Sequence, residues 1–149
     1  MNKRIIVYIL GWVLLIEGAA MQIATVTSFI YGEHEGLYFL ITGAASAFLG
    51  LMAVKIKKPK NMVLYQKAGF AATALSWIIM SLVGCLPFWL SGEIPSFIDA
   101  FFETVSGFTT TGSSILLDVE SLSHGMLIWR SFLNWLGGMG VIVFLLAII

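Results

Sequence analysis

Four apolar runs, each near the length of a bilayer crossing, fill most of this sequence and leave the charge to the gaps between them. They cover residues 5–30, 37–54, 68–90 and 126–149. A hydrocarbon core about 30 Å thick takes roughly 20 apolar residues of helix, so each run reads as one crossing. Composition excludes the soluble alternative. Hydrophobic residues make up 59% of the 149, and charged residues only 11%, where a soluble domain carries roughly 25%. Too little polar chain is present to cover the surface of a soluble fold. A disordered protein and a disulfide scaffold are excluded on the same grounds, since the one cysteine, Cys85, lies inside an apolar run.

The net charge of zero hides a strong segregation. Lys3 and Arg4 precede the first run, and Lys55, Lys57, Lys58, Lys60 and Lys67 cluster after the second. Glu33 and Glu35 follow the first run, Glu93 and Asp99 the third, while Asp118 and Glu120 precede the fourth. The positive-inside rule then puts the N-terminus and the 55–67 stretch in the cytoplasm and the acidic gaps outside. The first run begins as a secretory signal does, with Gly18-Ala19-Ala20 as a small-residue cleavage site. Its apolar stretch continues to Ile30, however, so it is expected to remain as a spanning helix. Gly43, Ala47 and Gly50 suit the second run to close helix packing, and Pro87, near Gly84, should kink or stop the third. His34 and His124 lie far apart on polar gaps, and no metal-ligand spacing is present. Nothing steers the chain toward nucleic acid. With no nucleophile–base pair and no phosphate loop, it does not read as an enzyme.

Residues 91–125 start and end outside, yet their middle is apolar. Ile98, Phe101, Phe102 and Val105 recur at i, i+3, i+4 and i+7, one face of a helix. Pro95 suits a first helical position and Asp99 the positive end of the helix dipole. A helix over 95–108 would be about 21 Å long, too short to cross but long enough to reach the middle. A surface-lying amphipathic helix also fits that periodicity. The adjoining residues favour the re-entrant reading: 106–114 are small and hydroxyl-rich, with glycines at 107 and 112. Non-helical backbone at membrane depth survives where it lines a watery cavity or is buried in protein. Successive carbonyls there, with a threonine hydroxyl, could replace the water shell of a dehydrated cation. The C-terminal end of the short helix would favour a cation in the same cavity.

The run Asp99-Ala100-Phe101-Phe102-Glu103-Thr104-Val105-Ser106-Gly107-Phe108-Thr109-Thr110-Thr111-Gly112-Ser113 resembles the first pore loop of the Trk-type potassium uptake proteins. Trp129-Arg130-Ser131-Phe132-Leu133-Asn134-Trp135-Leu136-Gly137-Gly138-Met139-Gly140-Val141 resembles the inner helix of the same repeat. The resemblance implies four such repeats around one pore, each giving a strand with a filter glycine. Here that glycine would be Gly112, with Thr110, Thr111 and Ser113 supplying neighbouring carbonyls to K⁺. It also implies a bacterial plasma (inner) membrane, a cytosolic nucleotide-binding regulatory subunit, homodimeric assembly, and no cofactor beyond the transported ion. Passage could be channel-like or coupled to H⁺ or Na⁺ as symport. The sequence departs from the family in having one pore loop. The expectation is therefore an N-terminal piece that works with the remaining pore repeats of the same protein. A one-repeat homotetrameric potassium channel and a non-conducting membrane scaffold are the alternatives.

The expected fold is all-α and integral to the membrane. It comprises an accessory helix pair over 1–61 and one helix–pore helix–filter–helix repeat of the potassium-channel-like type over 62–149. The repeat divides into a pore helix at 95–108, a filter at 109–114 and an inner helix at 125–149. Glu17, in mid-helix, costs on the order of 2–3 kcal/mol to insert and reads as a neutral or hydrogen-bonded packing group. Arg130 could snorkel to the surface; the sharper expectation pairs it with Glu103, the two bracing the filter together with Thr109. Gly137, Gly138 and Gly140 serve close packing or a hinge. Trp89 and Trp129 are expected in the outer aromatic belt.

Overall fold

The computed structural model describes residues 3–56, 58 and 65–148, and of 141 and 143–148 the backbone alone. Lys57, Lys60, the expected boundary between 61 and 62, and Ile149 lie outside the described residues. Two long helices, α1 (Lys3–Ile30) and α2 (Gly36–Ile56), pack closely along their length. Glycines let them do so: a Cβ on Gly18 would stand 2.7 Å from the Gly43 carbonyl, and one on Gly50 2.6 Å from that of Gly11. The pairing of 11 with 50 and 18 with 43 makes the two helices antiparallel. Across the seam Ser46 Oγ donates to the Leu14 carbonyl at 2.9 Å.

The third crossing is broken. Helix α3 (Gln66–Gly84) gives way at Cys85 to a short α4 (Leu86–Leu90) with Pro87 in its first turn. Proline has no N–H for the ladder. At the break the Gly84 carbonyl accepts a hydrogen bond from Trp129 Nε1 at 3.0 Å. That bond corrects the expectation for Trp129: it is wholly buried, as a strut between two helices, and does not sit in the outer belt. Trp89 is 42% exposed.

Among the described residues, α1, α2 and the broken stretch Gln66–Leu90 are long and apolar enough to cross a membrane. Helix α6 (His124–Ile148) has 25 residues, about 37 Å of helix, ample for a fourth crossing. Between them α5 (Phe97–Phe108) has only 12, roughly 18 Å, and packs on α6 and α3. It begins two residues after the expected Pro95, because Ser96 caps it: Ser96 Oγ accepts the Asp99 N–H at 3.4 Å.

The expected apolar stripe of α5 is only partly turned inward: Phe101 and Val105 are half-buried, Phe101 against the core. Ile98 and Phe102 are exposed, while Ala100, Glu103, Thr104, Ser106 and Phe108 are buried. This arrangement has a physical cause. Where the surroundings are hydrocarbon or other protein, polar groups must find partners inside and apolar ones need not. The larger core unites the accessory pair with the rest: Met21 and Phe39 share it with Phe88, Phe108, Trp129 and Leu133. Glu17 is fully buried at the edge of this core, with no hydrogen-bond partner on either oxygen. Its expected hydrogen-bonded form is therefore not the one observed.

Candidate functional site

The chain leaves α5 by folding its next amides back onto the last turn. Thr109 N–H donates to the Val105 carbonyl (2.8 Å), Thr110 N–H to Gly107 (3.0 Å), Thr111 N–H to Ser106 (3.0 Å) and Gly112 N–H to Ser106 (3.5 Å). In a trans peptide the carbonyl points opposite to the N–H of the next residue. With the amides of 110, 111 and 112 aimed at the helix, the carbonyls of Thr109, Thr110 and Thr111 are aimed away from it. Residues 109–112 are all exposed.

This fold-back needs unusual backbone. Gly112 has φ +76° and Thr110 has φ +56°. For glycine such a φ is ordinary. For a β-branched residue it is an outlier costing on the order of 1–3 kcal/mol. Among the described residues no other non-glycine has a positive φ. The side chains hold the strain in place: Thr109 Oγ1 donates to the Val105 carbonyl at 2.8 Å. Its single proton being used, the 2.7 Å contact with Thr111 Oγ1 is donated by Thr111. Ser113, expected to offer its carbonyl with the others, has it tied to Ser106 Oγ at 2.5 Å. Thr109, expected only as a support, has a carbonyl in the outward-facing set.

Beside this turn lies a buried carboxylate with a full set of donors. Glu103 is 1% exposed. It accepts from Ser114 Oγ on both oxygens (3.1 and 3.0 Å), from Ile115 N–H (3.1 Å) and from Arg130 Nε (2.5 Å). Thus Glu103 of α5 holds the segment beyond the turn on one side and α6 on the other. Arg130 meets Glu103, with 26% of its side chain still exposed. The glycines of α6 divide by what they touch. A Cβ at Gly137 would overlap the Phe108 carbonyl, one at Gly138 would lie 3.8 Å from Thr110 Cγ2, and one at Gly140 3.5 Å from Trp77. Gly137 lets α6 press on the end of α5 directly below the turn. A cavity of about 150 Å³ lies behind Gly112, lined by Ser106, Gly107, Arg130, Ser131 and Asn134.

The strained Thr110 and the tether from Ser106 had no signal in the sequence beyond hydroxyl richness, whereas Glu103 and Arg130 stood out as charges in apolar runs. The chain as a whole is similar to known proteins. The TrkH family profile, described as "Cation transport protein", matches residues 36–149. The chain belongs to the TrkH family. It is 38% identical over 138 residues to an uncharacterized cation transporter of Methanocaldococcus jannaschii, covering 93% of this chain and 29% of that protein. It is 36% identical over 151 residues to the Trk system potassium uptake protein TrkH of Escherichia coli K12, covering all of this chain and 31% of the relative. The crystal structure of the potassium transporter TrkH from Vibrio parahaemolyticus superposes with a TM-score of 0.91 at 33% identity, over 99% of this chain and 32% of that one. The chain therefore spans about a third of the length of the relatives it matches. As a TrkH-family member it is an all-α integral membrane protein.

Proposed function

We propose that this chain carries one repeat of a K⁺-conducting pore. The carbonyls of Thr109, Thr110 and Thr111, turned by Gly112, would replace part of the water shell of a dehydrated K⁺ ion. The observation that supports this most is the strained Thr110 beside Gly112, held at the end of a helix too short to cross. Strain of that kind persists only where its surroundings enforce it, and it gathers at functional sites. Several carbonyl dipoles on one side favour a cation and offer nothing to an anion. The negative end of α5 adds to the same preference. Ser113 serves the site as a tether, and Glu103 with Arg130 as its brace. Gly137 acts by close packing, with Gly138 and Gly140 left free for a hinge.

The relatives named for potassium uptake support K⁺ as the ion and transport, not covalent chemistry, as the activity. We read residues 1–61 as the accessory pair and 62–149 as the pore repeat. The remaining repeats of the same protein would complete the filter. The family resemblance supports a bacterial inner-membrane location with the N-terminus cytoplasmic, a cytosolic nucleotide-binding regulatory subunit and a homodimer. The test is Gly112→Ser in the full-length protein. A side chain at φ +76° strains the turn, so the K⁺/Na⁺ uptake ratio should fall roughly tenfold or more, the factor that about 1.4 kcal/mol of lost discrimination produces. Unchanged selectivity and flux would show that the filter lies elsewhere.

A further inference from the structure

Helix α6 begins with amide groups that no residue of its own turn can satisfy. Ser123 occupies the capping position, its carbonyl accepting the Leu127 N–H at 2.9 Å, yet its hydroxyl is buried without a partner. The cap comes from two distant carboxylates. Glu33, on the turn between α1 and α2, accepts the His124 N–H (2.8 Å) and the Gly125 N–H (3.1 Å), and it pairs with His124 Nδ1 at 2.8 Å. Glu93, between α4 and α5, accepts the Ser123 N–H at 3.1 Å. Tyr31 stacks flat on the His124 ring, with centroids 3.9 Å apart. Gly125 lies so close to Ser28 of α1 that a Cβ there would overlap it.

We propose that Glu33 is a positioning residue for the pore: through it the accessory pair holds the outer end of the inner helix and so keeps Arg130 in register with Glu103. This role rests on the pore reading given under the proposed function. Arg130 lies six residues beyond His124, under two turns along a rigid helix. A shift at the capped end is therefore carried to the Glu103 hub with little loss. Burial acts to raise the Glu33 carboxyl, but hydrogen bonds from the His124 N–H, the His124 ring and the Gly125 N–H outweigh it and hold the carboxyl below its ordinary value. A carboxyl held low stabilises its contacts above the ordinary carboxylate range and loses them as pH falls through the lowered value. The titratable groups around it are Tyr31, His34 and Glu35 on its own turn and His124 on α6, with Glu93 beside them on the next amide. At neutral pH this collar of Glu33 and Glu93 around the start of α6 is closed.

The experiment compares Glu33→Ala and Glu33→Asp in the full-length protein. It reads hydrogen exchange at 123–125 together with K⁺ KM and K⁺/Na⁺ ratio per molecule in proteoliposomes. Glu33→Ala should speed exchange roughly tenfold, as loss of a helix cap does. It should raise KM by roughly threefold or lower the selectivity ratio, as a change felt by the bound ion does. Glu33→Asp should recover part of both. Unchanged exchange would remove the collar. Faster exchange with unchanged KM and selectivity would leave Glu33 a helix cap only and overturn the positioning role. If the unmodified protein moved no K⁺, the pore reading would fall, and the exchange result would still decide the collar by itself.

Discussion

Glu103 and Glu17 are both buried among apolar helices, at 1% and 0% exposure, and their surroundings are opposite. Glu103 receives donors from a hydroxyl, a backbone amide and a guanidinium, drawn from two different segments. Glu17 receives none; its Oε1 shares the space above Gly84 with Thr104 Cγ2 and a Phe108 ring atom. A carboxylate taken out of water loses several kcal/mol of hydration, which only a complete set of partners offsets. Burial alone therefore does not distinguish a working acid from a filling one. The donor set does: Glu103 ties the 114–115 segment to α6, and Glu17 only fills space.

The largest effect should come from breaking the Glu103 hub. Arg130→Glu or Glu103→Arg places like charges in a buried site, where loss of one partner costs on the order of 3–5 kcal/mol. K⁺ uptake by the full-length protein should vanish in each. The exchanged pair, Glu103→Arg with Arg130→Glu, should restore a measurable fraction, and a double variant as inactive as the singles would refute the brace. A smaller loss is expected from Ser114→Ala. It removes one hydroxyl donor and leaves the Ile115 amide and Arg130 in place, a cost of about 1–2 kcal/mol. A double-mutant cycle with Arg130→Lys measures it: coupling near zero would mean that the two donors hold Glu103 independently.

The crossings, the half-crossing and the Glu103–Arg130 pair were legible because each leaves a coarse mark: run length, charge sign, or a charge where none should be. The direction of the α5 stripe was not. Periodicity shows that Ile98, Phe101, Phe102 and Val105 share a face, but in a membrane that face can turn to lipid or to another repeat as readily as to a core. The left-handed Thr110 left no mark either, because threonine is a poor choice for that conformation in isolation and only the tethers from Val105, Gly107 and Ser106 impose it. Trp129 had the position of a belt residue, and only the helix break at Cys85 created the carbonyl that draws it inside. Local signals carried the helices, while contacts between distant segments decided how residues 109–115 are held.

The smallest effect, and the most discriminating, belongs to Glu17→Leu. Leucine has similar bulk and no polar atoms. It should remove the burden of two unpartnered oxygens, which cost about 1–3 kcal/mol when left buried. The thermal midpoint of the purified full-length protein should therefore rise by a few degrees, with K⁺ uptake per molecule unchanged. Glu17→Gln, which keeps two polar atoms in the same place, should show little of that gain. The contrast with Glu103 is sharpest in this pair of variants: one glutamate loses function when its partners go, and the other gains stability when its own oxygens do. A Glu17→Leu protein that is stable but slow would mean that a carboxyl with no donors in the bundle still acts on the pore helix through Gly84 and Thr104. The separation between a working and a filling acid would then have to be drawn by proximity to α5 and not by hydrogen bonds.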